Sequence, residues 1–372
     1  MAVAQAGLQF RRARHIVLYW RERRLVAHNY ATGRRVQATA SLCGLLEQCT
    51  EWQTADEIAA ALHLPARALT PLIRRLVARS LLERSDRRED SRTRAMATFD
   101  RWNPEAGFFH AATKDVRFWP PREAARQARA QARRVPMPEP VKRYRGVQAI
   151  DLLRPAQGTF SDVLLTRRTW RRFSSKALTL QDLSTLLGLS AGVQQWVRSS
   201  PSDLPLKTSP SGGARHPIEC YVVARSVRGL RAGVYHYEAD RHVLERVRGP
   251  VTLRRVASYY PTSGYFAKAP AHVFLTAVFA RQLWRYPYSR AYRAALAEAG
   301  HVCQTFCLTA TWLGLAPFCL MGLADSRIEH DLGIDGITES VLYAAGVGYP
   351  PAGSSWAPLV RGTLSFRRNP RM

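Results

Sequence analysis

Residues 85–146 are charged and repeatedly cut by proline, and the apolar pattern changes across them. Before them the chain reads as a short ribbon followed by three small helices. After them helices and strands alternate. The stretch "RSDRREDSRTR" is a solvated turn or loop, and "PPREAARQARAQARRVPMPEP" is a basic helix between proline breaks. From Arg117 to Arg145 there are nine Lys+Arg against two Asp+Glu, as expected of a solvated linker. The expected division is therefore a winged-helix-like module over residues 1–90, a basic linker over 91–146 and a larger α+β part over 147–372. A chain of 372 residues is long enough for two or three cores.

The formal charge is +27. Residues 1–150 hold 28 Lys+Arg against 14 Asp+Glu, and the remainder 27 against 14, so the excess is spread over both halves. A nucleic-acid footprint is more often a patch. An acidic peptide partner or a phosphate-bearing cofactor fits an even excess as well. Arg11, Arg12 and Arg14 are followed by no apolar run of the kind a secretory signal has, and no stretch of 18 apolar residues occurs. Six cysteines form no CxxC and no Cys/His ligand spacing, so no metal is expected. Cys303 and Cys307, one helical turn apart, read as plain buried thiols. The natural reading of the compartment is a reducing cytoplasm.

In the first part, His15–Trp20 and Leu25–Tyr30 are strands around the charged turn Arg21–Arg24. A helix follows over Ala38–Gln48. Thr54 with Glu57 three residues on is a capping box opening Ala55–Leu62. Pro65 precedes a third helix whose Leu69, Leu72, Ile73, Leu76 and Val77 share one face. Such a module can bind DNA through Arg67, Arg74, Arg75 and Arg79. It also resembles the PqqD-like peptide-recognition fold, on the run from "VLYWRERRLVAHNYATGRR" to "TADEIAAAL". That resemblance implies that the leader of a precursor peptide docks as an added strand on an exposed ribbon edge.

Beyond residue 147 helices are expected at Ser161–Thr166, Thr179–Ser190, Arg290–Trp312 and Ser326–Leu332. Strands are expected at Glu219–Arg225, Gly233–Glu238, Val243–Val247, His272–Phe279, Phe318–Met321 and Ser340–Gly346. Four segments carry chemistry. "RRTWRRF" at Arg167–Phe173 offers guanidinium forks and a hydroxyl to a phosphate. "SPSGGARHP" at Ser209–Pro217 lets backbone approach a flat ligand. "LWRYPYSRAYRAALAEAGHVCQTFCLTATWLGL" brings Tyr and Arg into a long helix. "SVLYAAGVGYP" ends a strand in Gly346 and Gly348.

In this order the four segments resemble the nitroreductase superfamily, and within it the SagB-type dehydrogenases that act on peptides during their maturation. The resemblance covers about residues 147–350. It implies a nitroreductase-like fold and a homodimer with FMN at the subunit interface. Flavin contacts would come from Arg167, Arg168, Thr169 and Arg171, from Pro210, Ser211, Gly212 and Gly213 along the ring, and from Gly346 and Gly348. Azoline-oxidising relatives carry a Lys-Tyr pair where this chain has Arg285-Tyr286. Arg cannot shed its proton as a buried Lys can. Tyr286 is then the candidate base with Arg285 beside it, or Arg285 holds a substrate carbonyl or carboxylate; Tyr288 and Tyr292 are the next candidates. The implied activity is FMN-dependent oxidation of a residue or azoline ring in a ribosomally made peptide, with the precursor peptide and other peptide-modifying enzymes as partners. Two other readings stay open: a reductase of nitro compounds or quinones running on NAD(P)H, and a winged-helix regulator with a flavin sensor. Neither a membrane nor a nucleic-acid partner is expected under the first reading.

Overall fold

The structure is a computed structural model that describes residues 7–102, 104–116, 118–134, 158–199 and 203–354. The expected start of the catalytic part at residue 147 lies outside the described residues. Two compact units emerge: Met1–Lys114 with Phe279–Arg293, and Asp115–Val278 with Ala294–Met372.

In the first unit, β1 (Gln9–Arg12) precedes the hairpin of β2 (Ile16–Arg21) and β3 (Arg24–Asn29), and β4 (Arg34–Gln37) follows it. The order β2-β3-β4 makes a three-stranded antiparallel sheet and not a two-stranded ribbon. β4 was hidden in the sequence because it is short and opens with Arg34 and Arg35. Helix α1 (Ala40–Gln48) starts on a Thr39 cap, β5 (Gln53–Thr54) leads into α2 (Ala55–Ala61), and α3 (Ala66–Ala78) and β6 (Leu82–Arg84) follow. The Thr54–Glu57 capping box forms as its spacing demands. Strand β1 lies between β5 and β6 in a second small sheet. The core gathers Phe10, Leu45, Leu46, Ile58, Leu69 and Ile73, the last two from the apolar stripe read for α3.

Residues 91–113 are not open linker. They form α4 (Ser91–Met96) and α5 (Pro104–Thr113), and Met96, Phe99 and Trp102 are buried. Aromatic side chains within a charged sequence give this stretch something to bury.

In the second unit, α6 (Pro121–Arg134) is the expected basic helix, and α7 (Thr159–Thr166) leads to the arginine segment. The short β7 (Leu178–Thr179) opens α8 (Leu180–Ala191), and β8 (Val193–Val197) pairs with β9 (Leu204–Lys207) as a hairpin. The main strands are β10 (Ile218–Ala224), β12 (Gly233–Glu238) and β13 (Val243–Arg248), with the two-residue β11 (Val227–Arg228) between the first two. Helix α9 (Leu253–Ala257) and β14 (Ala271–Val278) come next. The chain then enters the first unit as α10 (Phe279–Arg285), and α11 (Ala291–Trp312) begins there before running on through the second. Strand β15 (Ala316–Leu320), α12 (Asp325–Leu332) and β16 (Glu339–Gly348) complete the order. The six-stranded antiparallel sheet runs β13-β12-β10-β14-β16-β15. Its alternation with helices is the α+β pattern expected. Among the described residues no helix is long and apolar enough to cross a membrane.

Candidate functional site

Helix α11 organises the second unit's candidate site. Its Glu298, His301 and Thr305 lie at offsets of three and four residues, which places them on one face. That face meets the loop at Ser209–Gly213. The Gly212 N–H donates to Glu298 Oε1 at 3.0 Å, and His301 Nδ1 lies 3.2 Å from the Pro210 carbonyl oxygen. Ser209, buried, hydrogen-bonds the Thr305 hydroxyl at 3.0 Å and donates to the Ser190 carbonyl at 3.3 Å. Ser211 Oγ accepts the His216 N–H at 2.8 Å. Glu298 is 4% exposed, so a carboxylate is spent inside the protein on holding this backbone.

The loop is held in an unusual shape. Gly213 adopts φ 62°, as glycine readily does. Ala214 at φ 50° and His216 at φ 42° share the left-handed region without that freedom. Strain of this kind collects at ligand-binding and catalytic segments. Pro210, Gly212 and Gly213 are exposed, and Ser211 is half-buried.

The arginine segment leaves the C-terminus of α7. Arg168 Nη1 turns back to donate to the carbonyls of Leu165 at 2.9 Å and Arg167 at 2.7 Å, where a cation suits the helix dipole. The Trp170 N–H donates to the Pro317 carbonyl at 2.8 Å, tying the segment to the start of β15. Arg171 Nη1 donates to the carbonyl of Thr169, two residues back, at 3.5 Å. Arg167 and Thr169 are half-buried and Arg171 is exposed. Among the described residues no carboxylate forms an ion pair with Arg167 or Arg171. Arg167 lies within electrostatic range of Cys307 on α11. The loop is thus tied to α11 at Glu298, and the arginine segment to the start of β15 at Pro317.

Gly346 and Gly348 have a different setting. A Cβ at Gly346 would collide with the Phe318 ring, and one at Gly348 would lie 2.7 Å from Pro270 and 3.1 Å from Phe173. On the Cβ side of each glycine the space is filled by the protein's own side chains. Gly346 also pairs with His272 on one side and Phe318 on the other, so it lies inside the sheet.

Arg285 and Tyr286 fall in the first unit. Arg285 ends α10 and is exposed; Tyr286 is half-buried. The Tyr286 carbonyl accepts from Trp102 Nε1 at 2.9 Å, and its ring lies 5.9 Å from that of exposed Tyr288. Tyr292 is buried, stacks on Phe279 with centroids 5.2 Å apart, and its hydroxyl is 2.9 Å from His110 Nδ1. A base inside that cluster has no access to substrate, so Tyr292 leaves the candidates.

The sequence reading missed Glu298 and His301. Only the apolar positions of α11 had been read, whereas the polar i, i+3 pair was the signal available.

Comparison with known proteins matches this part of the chain. The profile of the nitroreductase family matches residues 164–349, from the end of α7 past β16. A nitroreductase-like protein of Methanocaldococcus jannaschii is 34% identical over 173 residues, 46% of this chain and 83% of that protein. The trifolitoxin-processing protein TfxB of Rhizobium leguminosarum bv. trifolii is 34% identical over 174 residues, 45% of this chain and 46% of that protein. This chain therefore spans about half the length of TfxB. A chain of the E. coli microcin synthetase McbBCD complex superposes with a TM-score of 0.47 at 21% identity, over 69% of this chain and 94% of that one. On the family profile and the Methanocaldococcus jannaschii relative, this chain belongs to the nitroreductase family.

Proposed function

We propose that this chain is an FMN-dependent dehydrogenase that oxidises a residue or azoline ring of a ribosomally made peptide during its maturation. The observation that carries the flavin part is charge. Among the described residues Arg167 and Arg171 have no carboxylate partner, and α11 holds the Pro210–Gly213 loop through Glu298, next to the strained Ala214 and His216. Unneutralised guanidinium groups suit a phosphate, and exposed glycine backbone suits a flat ring. Arg167, Arg168, Thr169 and Arg171 would hold the phosphate end, with Pro210, Ser211, Gly212 and Gly213 along the ring. Gly346 and Gly348 would support the site by admitting Phe318, Pro270 and Phe173. Bound FMN supplies the hydride acceptor. Tyr286 would take the substrate's proton, with Arg285 beside it to hold a peptide carbonyl or carboxylate. A homodimer completes the reading, with exposed Trp284 and Tyr288 as apolar surface suited to it.

The peptide part is supported by a relative whose name is trifolitoxin-processing, and by a groove in the first unit. Strand β4 is a sheet edge, and Val36, Leu42, Leu72 and Leu76 form an apolar floor between it and α3, rimmed by Arg75 and Arg79. An added strand with alternating apolar and acidic residues matches such a groove. The remaining even positive charge leaves the protein suited to acidic peptides throughout.

The flavin assignment is tested on the purified protein, which should absorb as a flavoprotein with about one FMN per chain. Arg167→Ala with Arg171→Ala should lose much of it, since two charge-assisted contacts are worth about 1.5–3 kcal/mol each. Full occupancy in the double variant would remove these residues from the site.

A further inference from the structure

Three cysteines converge in the second unit, away from any role given above. Cys303 and Cys307 sit one turn apart on α11 and face Cys319 on β15. Their three sulfurs lie within 4.8 Å of one another. Cys303 and Cys307 are each 2% exposed, and Cys319 is half-buried. No disulfide joins them. The Tyr343 hydroxyl lies 3.8 Å from Cys319 Sγ, in reach as a donor.

We propose that Cys303, Cys307 and Cys319 form a binding site for one thiophilic d10 metal ion. At a metal–sulfur bond of about 2.3 Å, three thiolates around one ion stand roughly 3.8–4.0 Å apart, within the separation found. Soft sulfur ligands without a carboxylate or imidazole select Zn2+ or Cu+ over magnesium, calcium or manganese. Charge favours Zn2+. Three thiolates and Zn2+ leave one net negative charge, and the Arg167 guanidinium lies in electrostatic range of both Cys307 and Cys319. With Cu+ the residual charge would be two. Binding replaces three sulfur-bound protons with the ion, so three protons are released per ion. The Tyr343 hydroxyl serves as an outer donor that orients and stabilises the Cys319 sulfur.

The site shares Arg167 with the flavin reading, so its test counts metal ions directly and not flavin or turnover. Reduced full-length protein is mixed with Zn2+ in one arm and Cu+ in the other, and native mass spectrometry counts ions per chain. One ion per chain is expected in each arm. Competition with a chelator should show at least a 100-fold loss of affinity in Cys307→Ser and Cys319→Ser, and about a 10-fold loss in Tyr343→Phe. Cys220→Ser, which changes a buried thiol outside the cluster, should keep wild-type affinity. Should Cys307→Ser fail to fold by circular dichroism, the half-buried Cys319→Ser decides. Protein that keeps no ion in either arm, or a folded Cys319→Ser that binds as tightly as wild type, overturns the proposal.

Discussion

Phe318 lies against the Cα of Gly346, and that contact shows what a glycine in a sequence can and cannot say. The residue type announces a close approach; only the fold shows that the approaching group is the protein's own ring. Ser211–Gly213 is the opposite case, where adjacent glycines mark a loop that is exposed and held from below by Glu298. Tyr286 carries the chemical prediction at this scale. Tyr286→Phe removes one hydroxyl, so flavin content should hold while turnover falls on the order of 100-fold, the usual share of a positioned proton acceptor. Unchanged turnover would move the base to another group, with Tyr288 the exposed alternative. His236 sets a pH dependence. Hydrogen bonds from its ring to Glu219, at 3.0 Å, and to Glu245 outweigh burial and raise its pKa from 6.5 to about 9. A raised histidine stabilises the fold fully below its unfolded value and loses that contribution as pH climbs through its folded value. Thermal stability of the wild type should therefore drop between about pH 6.5 and 9 more than that of His236→Asn, measured in the same buffers. Parallel curves for the two proteins would exclude this linkage.

Among the elements, those with strong periodicity were legible and those defined by partners were not. The apolar spacing of α3, the capping box of α2 and the long helix ending at Trp312 all appear where the sequence puts them, give or take a residue. Strands β10, β12 and β14 were visible as apolar runs because most of their residues are buried. β1 was missed because its partners, β5 and β6, lie more than forty and seventy residues on. Nothing local marks such a pairing. The excursion of α10 into the first unit was equally hidden, since it rests on Trp102, His110 and Phe99 meeting Phe279 and Tyr292. The groove between β4 and α3 yields a prediction for the peptide. Reversing charge at its rim, Arg75→Glu with Arg79→Glu, should weaken binding of a neighbouring precursor's leader on the order of tenfold, because exposed charge pairs contribute modestly. The loss should shrink at high salt. Tighter binding of duplex DNA than of leader by the wild type would instead support the regulator reading, and its affinity would fall steeply with salt.

At the scale of the whole molecule, the candidate base and the candidate flavin contacts belong to different compact units, although one continuous helix, α11, carries residues of both. The chain route explains why the sequence could suggest both parts but not this division of labour: long-range packing, not composition, assigns Phe279–Arg293 to the N-terminal unit. Light scattering on the flavin-loaded protein should give twice the chain mass, and a monomer that still holds its flavin would remove the dimer from the account. The central claim is oxidation of a peptide. Its most direct measurement is the mass of a genetically neighbouring precursor peptide co-expressed with this protein, compared with the same peptide co-expressed with the Tyr286→Phe variant. A loss of about 2 Da per modified site, one hydride and one proton, is expected, and it should disappear or nearly so in the variant. A precursor of unchanged mass beside a flavin-loaded wild-type protein that binds its leader would contradict it.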